Sequence, residues 1–126
     1  MDVIVVDGAV KLWLDDLRDP VEWTREDDWT WVKTYRDAIY VIDTYPLSHL
    51  SLDNDIGDFY VDQYGETREH EGYEVLRHVI ETNGWPEKYI NVHSSNAVRM
   101  PQMIEDIQRH GPFVFRGRFI RINDND

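Results

Sequence analysis

At 126 residues, with 41% hydrophobic and 13% aromatic side chains, the chain has the length and core material of one domain, which excludes a disordered acidic tail. Its 25 acidic residues against 13 Lys+Arg leave a net charge of −12, a field that turns away duplex DNA and anionic membranes and otherwise serves solubility. Cysteine is absent, so disulfides, thiolate nucleophiles, zinc–thiolate sites and iron–sulfur clusters are ruled out.

Val3-Ile4-Val5-Val6 and Val10-Lys11-Leu12-Trp13-Leu14 predict strands, and Asp7-Gly8 between them suits a hairpin. This N-terminus has no basic region and only a short apolar run, so it is not read as a signal peptide. No stretch reaches the length of a membrane span, and a cytoplasmic protein is expected. The second strand runs into Asp15-Asp16. From Leu17 to Asp28 no period holds, Pro20 interrupts and charge is dense, which predicts a structured loop.

Trp29 to Lys33 predicts a strand. Thr34 then caps a helix with Asp37 near the capping-box position, an apolar stripe of Ala38, Ile39, Val41 and Ile42, and a stop at Pro46. His49 to Asp53 predicts a strand that finishes in acid, followed by Asn54-Asp55-Ile56-Gly57-Asp58. Residues 59–71 are polar, aromatic and rich in Glu, and they predict a long loop of the kind that carries function. Gly72 leads into a helix with Val75, Leu76, Val79 and Ile80 on one face, ending near Asn83-Gly84. Tyr89 to Val92 predicts a strand ending in His93-Ser94-Ser95-Asn96. A helix with Met100, Met103, Ile104 and Ile107 follows, Pro101 in its first turn and Gly111 at its end. Phe113 to Ile122 predicts a last strand with a bulge or a tight hairpin around Gly117, and 123–126 a frayed tail. Strands alternating with helices predict a mainly parallel sheet in a single domain over 1–126.

The chemistry lies in what ends these strands: Asp15-Asp16, Asp53-Asn54-Asp55 and His93-Ser94-Ser95-Asn96. Parallel strands bring their carboxyl ends to one edge, where open α/β sheets bind ligands. Carboxylates gathered there repel one another and must take up protons or share a cation. Oxygen donors without thiolates favour a hard ion, Mg2+ first and Mn2+ or Ca2+ next. Such an ion reverses the local field and lets a phosphate approach. Asp53 or Asp55 is alternatively a nucleophile toward phosphorus. Ser94, Ser95 and Asn96 are candidates to cradle a phosphate where strand feeds helix, and His93 is the candidate general acid or base.

Taken singly, each cluster also reads as a turn, a helix cap or a hydrogen-bonded packing residue. Their convergence on one edge carries the functional reading. His49, His70, His78 and His110 have no ligand spacing, and Glu66, Glu69 and Glu71 read as a solvated loop or an extension of the metal shell. Trp13 and Trp31 fit core strand positions. Trp23, Trp29 and Trp85 are candidates for a base-stacking wall, although packing is the better reading for all five tryptophans. Arg116 and Arg118 share a face and, with Arg121, either meet phosphate or balance nearby acids.

In this order the residues resemble a receiver domain, the phospho-acceptor fold of two-component signalling. Asp15-Asp16 stands at its acidic pair, Asp53 at the phospho-acceptor, and Ser94 or Ser95 at the later hydroxyl. The chain is more closely similar to the cyclic-phosphate-processing receiver-like family. Leu12-Trp13-Leu14-Asp15-Asp16-Leu17-Arg18-Asp19-Pro20 matches the family's opening, and Val32-Lys33-Thr34 and Ser51-Leu52-Asp53-Asn54-Asp55-Ile56-Gly57 match its middle segments. Gly72-Tyr73-Glu74-Val75-Leu76 matches its helix start, and Val92-His93-Ser94-Ser95-Asn96-Ala97-Val98 its later stretch. Met103 stands at the family's methionine, and the similarity runs over residues 11–108.

The resemblance implies a receiver-like (flavodoxin-like), three-layer α/β fold, a mainly parallel sheet of about five strands with flanking helices and an added N-terminal hairpin strand. It also implies a metal-dependent phosphoesterase acting on 2′,3′-cyclic nucleotides, RNA 3′ ends of that kind, or small cyclic nucleotides. Asp15, Asp16, Asp53 and Asp55 hold Mg2+ in that scheme, Asp53, Asp55 and His93 do the chemistry, and Ser94, Ser95, Asn96, Arg18 and Arg99 contact phosphate or substrate. The sequence departs from the family in three places. Its His between the two aspartates is Asn54, its Gly-Arg is Arg99-Met100 with the arginine shifted by one residue, and the last lysine is Lys88, so the lysine ending an ordinary receiver's fifth strand is missing. The last departure disfavours phosphorelay. The alternative expectation is a non-catalytic receiver-like module that binds a nucleotide, phosphate or protein partner in regulation or phage–host conflict.

Overall fold

A computed structural model describes residues 1–122, and the tail expected at 123–126 lies outside the described residues. β1 (Val5–Val6) and β2 (Ala9–Leu14) form the expected hairpin. Asp7 and Gly8 turn it, both with positive φ (52° and 81°), as a two-residue loop between right-twisted strands requires. The segment read as a loop contains a short helix, α1 (Pro20–Thr24). Five residues are too few to show a period, but the caps were there to see. The Asp19 side chain accepts from Val21 N, Pro20 sits in the first turn, and Arg25 closes the helix in the left-handed region.

β3 (Trp29–Val32) precedes α2 (Tyr35–Thr44), whose Thr34 cap accepts from Asp37 N as expected. β4 (Leu47–Leu52) follows. The loop expected over 59–71 is instead a hairpin, β5 (Asp55–Val61) and β6 (Thr67–Glu71). Its strands are largely exposed and carry no apolar alternation, so the period-2 signal is absent. Stacking holds it to the body: His70 lies against Tyr60 at 4.1 Å and against Tyr35 at 4.4 Å, and Asp58 Oδ2 accepts from Tyr35 N at the start of α2. α3 (Gly72–Thr82), β7 (Tyr89–Val92) and α4 (Arg99–His110) come next. β8 (Phe113–Phe115) and β9 (Phe119–Arg121) close the described chain as a tight hairpin around Gly117.

The central sheet runs β3-β2-β4-β7, all parallel, with β1 antiparallel on β2. Strand alternation sends Leu12, Leu14, Leu50, Leu52, Ile90 and Val92 into one buried cluster with Ala38 and Val41 of α2, Val75 and Val79 of α3, and Met103 and Ile107 of α4. The opposite face carries Lys11, Trp13, Trp29, His49 and Ser51, on the side of α1 and its flanking segment. This is a receiver-like α/β fold. The order of strands reverses between β2 and β4, which makes their carboxyl ends the topological switch point. No helix among the described residues is long and apolar enough to cross a membrane.

Candidate metal and phosphate site

The switch point is where the acids meet. The ladder continues one residue past each strand: Asp15 N donates to Val32 O at 3.1 Å and Asp53 N to Leu14 O at 2.9 Å. Both carboxylates are thereby fixed to the sheet. Asp15 is 1% exposed, and its Oδ1 accepts from Leu17 N (2.8 Å) and Arg18 N (2.9 Å). Two tryptophans hold the same turn from below, Trp31 Nε1 donating to Asp15 O and Trp13 Nε1 to Arg18 O. Asp16 lies alongside, so close to Gly57 that a Cβ there would come within 3.1 Å of Asp16 Oδ2.

One ligand atom from each of Asp15, Asp16 and Asp53 falls within 4.8 Å of the others, a cluster that could hold a metal ion. Burial, then the charge of Asp15, pushes the Asp53 carboxyl up to about 6; the Asn54 N–H and Arg18 pull the other way, and Asp16 adds to the rise. Arg18 is a cation set against these acids. Its Nη1 donates to His93 O (2.8 Å) and stands 3.6 Å from Asp15 Oδ2 and 4.0 Å from Asp53 Oδ1.

His93 lies behind Asp15. Its Nε2 is 3.1 Å from Asp15 Oδ2, its Nδ1 is 2.7 Å from Ser51 Oγ, and its ring stacks on Trp13 at 4.0 Å. A carboxylate only accepts, so Nε2 carries the hydrogen and Nδ1 accepts from the serine hydroxyl. Burial outweighs the attraction of Asp15 and holds the imidazole down at about 4, which keeps it neutral at neutral pH. Both ring nitrogens are occupied.

The remaining expected residues are used differently. Asp55 is not among the converging carboxylates: it is exposed, and Asn96 Nδ2 donates to both of its oxygens at 3.2 Å. Asn96 Oδ1 in turn accepts from Val98 N and Arg99 N, and Ser94 Oγ accepts from Asn96 N, so these side chains build the entry to α4. Ser95 is exposed. Arg99 does not reach the cluster. Glu71 takes its Nε and Nη2 at 3.2 Å each, and Gln102 takes Nη1. The one-residue shift noted in the sequence accompanies this different engagement.

Asn54, at the position of the family's histidine, is fully buried and acts as a junction. Its Nδ2 donates to Asp55 Oδ1 and Glu71 Oε1, and its Oδ1 accepts from Tyr73 N. The neighbouring glycine has a steric reason: a Cβ on Gly72 would sit 1.8 Å from Asp53 O. The start of α3 therefore rests directly on the backbone of the acid cluster. Sequence reasoning missed Trp13, Trp31, Ser51 and Gly72 as parts of the site, and Glu71, considered there as an extension of the metal shell, instead holds Asn54 and Arg99. The period of 2 could have found two of them, since Trp13 precedes Asp15 and Ser51 precedes Asp53 by two residues and so share their face.

A parallel sheet with its switch point between β2 and β4, and acids at both strand ends, defines a receiver-type domain. The family model of the cyclic-phosphate processing receiver domain matches residues 10–109, and the chain belongs to that family. No curated protein and no solved structure matches it.

Proposed function

We propose that the protein is a metal-dependent phosphoesterase that opens a cyclic phosphate, on a 2′,3′-cyclic nucleotide or RNA end or on a small cyclic nucleotide. One observation carries the reading: Asp15, Asp16 and Asp53 converge within 4.8 Å beside Arg18, in a family named for processing cyclic phosphates. An all-oxygen donor set fits a hard divalent ion, Mg2+ or Mn2+. Burial and then the charge of Asp15 raise the Asp53 carboxyl, so below about pH 6 a cation bound there competes with a proton. When bound, the ion neutralises phosphate charge and polarises a phosphoryl oxygen.

The chain's own groups supply the rest. Arg18, anchored by Nη1 to the His93 carbonyl, orients the phosphate from the cleft edge. His93, locked between Ser51 and Asp15, aims the Asp15 carboxylate and is a positioning residue in this scheme. Hydrolysis adds water across one ring P–O bond and leaves a phosphomonoester and a free hydroxyl. Phosphorus NMR of 2′,3′-cyclic AMP with the protein and Mg2+ or Mn2+ tests this. Metal-dependent appearance of the phosphomonoester is expected, with loss in both Asp15→Ala and Asp53→Ala. Full turnover in both variants would remove the mechanism.

A second reading is favoured by the occupied nitrogens of His93, which leave the cleft no free histidine. In that reading the protein is a receiver-like module that binds a nucleotide or phosphate without turnover. Thermal stabilisation by the cyclic nucleotide and metal, without product, selects it.

A further inference from the structure

Four of the five tryptophans are accounted for by packing or by the site. Trp13 and Trp29 are buried (3% and 6% exposed), Trp31 holds the Asp15 carbonyl, and Trp85 lies against Phe113. Trp23 is different: it is 61% exposed. A single exposed apolar residue is ordinary on a protein surface. The position and mounting of this one are not.

Trp23 sits on α1, and that short helix is fixed at every turn. Asp19 caps it, Thr24 Oγ1 donates to Pro20 O, Arg25 N closes on Val21 O, and Trp13 Nε1 ties the preceding Arg18 carbonyl to the sheet. Among the described residues the indole pairs with no other aromatic ring. Its ring partner is the Arg18 guanidinium, 5.2 Å from the ring centroid, and the same guanidinium stands 3.6 Å from Asp15 Oδ2 and 4.0 Å from Asp53 Oδ1. One arginine side chain thus separates an accessible indole, mounted on an anchored helix, from the carboxylates. A nucleotide has the same sequence of chemistry, a π face joined through a sugar to a phosphate.

We propose that Trp23 is the base platform of this site, its indole stacking a nucleobase while Arg18 and the carboxylate cluster receive the phosphate. The proposal rests on the reading of that cluster as the phosphate site of a cyclic nucleotide and adds the residue that holds the base. Stacking of this kind tolerates every base, because each has a π face. The platform therefore selects for the presence of a base and not for its identity.

The test uses the whole chain with Mg2+ and two probes, 2′,3′-cyclic AMP and glycerol 1,2-cyclic phosphate, which shares the strained ring and lacks a base. Proton–nitrogen NMR follows the indole N–H signals, with Trp23 assigned by Trp23→Phe. The cyclic nucleotide is expected to move the Trp23 signal and the glycerol compound to leave it in place. Trp23→Ala is expected to weaken the nucleotide about tenfold or more and the glycerol compound less than about twofold. Trp23→Phe, which keeps a stacking face, retains most of the affinity. Turnover of the nucleotide with the Trp23 signal unmoved, or equal loss for both probes in Trp23→Ala, overturns the platform and leaves the phosphoesterase standing. A Trp23 response without turnover does the reverse, and absence of binding by either probe removes both.

Discussion

Two polar clusters share one face of the central sheet, and they handle charge in opposite ways. Toward the amino ends of the strands, Lys11 is buried between Asp28 (2.7 Å) and Glu26 and lies over the Trp29 ring at 4.8 Å. Burial works against its charge, but the bonds to Asp28 and Glu26 prevail and its pKa rises above the ordinary lysine value. The buried cation is doubly paired, and both acids keep contact with water, which carries the excess negative charge. At the carboxyl ends, Asp15 and Asp53 share the nearby cation Arg18 with Asp16 beside them, and the Asp53 carboxyl is pushed up to about 6. Buried charge by itself therefore marks little. A buried carboxylate crowded by its own kind, as Asp53 is by Asp15, singles out the carboxyl edge.

The contrast breaks most completely at Gly72. A methyl group there meets Asp53 O at 1.8 Å, so Gly72→Ala must displace the end of β4 or the start of α3. A loss of about 4 kcal/mol in denaturant unfolding is expected, in the range kept for severe steric conflict. The Lys11 cluster is untouched by that change.

Asp53→Asn acts with the opposite sign. A carboxyl whose folded pKa of about 6 lies above its unfolded value must ionise at a cost, so without divalent metal the amide is expected to stabilise the protein by about 2 kcal/mol at neutral pH. Asp28→Asn, in the Lys11 cluster, is expected to cost about 1 kcal/mol. Melting curves of the two variants without metal decide it, and destabilisation by both contradicts the charge argument.

The same pair of shifts fixes a pH dependence. Asp53, raised to about 6, contributes stability at low pH that is lost as pH climbs from about 4 to 6. His93, depressed to about 4, takes up a proton more readily when unfolded, so its contribution is lost as pH falls from about 6.5 to 4. The two slopes oppose each other in the wild type. Asp53→Asn unmasks the histidine, and its stability is expected to fall on acidification by about 2 kcal/mol more than wild type. Parallel profiles would refute the opposition. The smallest effect is expected from Lys11→Met, about 1 kcal/mol in stability because Glu26 and Asp28 can rehydrate, with divalent-ion affinity unchanged in calorimetry.

The edge was legible because it depends on topology. Strands ending in Asp15-Asp16, in Asp53 and in His93 converge whenever the sheet is parallel, and alternation with helices made it so. Which polar group serves the cleft was not legible. Asp55, Ser94, Asn96 and Arg99 look like ligands in the sequence, yet in the fold they hold one another and Glu71. The β5–β6 hairpin was hidden because its contacts are polar and aromatic stacks between residues distant in sequence. Side-chain direction past the last rung of a strand is set by such tertiary partners and leaves no periodic trace.

Whether the carboxylate edge holds a cation is read residue by residue by Mn2+ titration followed by paramagnetic broadening in NMR. One ion per chain is expected, broadening Asp15, Asp16, Asp53 and their neighbours first, leaving Lys11, Glu26 and Asp28 sharp, and vanishing in Asp53→Asn. Broadening centred on the Lys11 cluster, or unchanged binding in Asp53→Asn, contradicts the account.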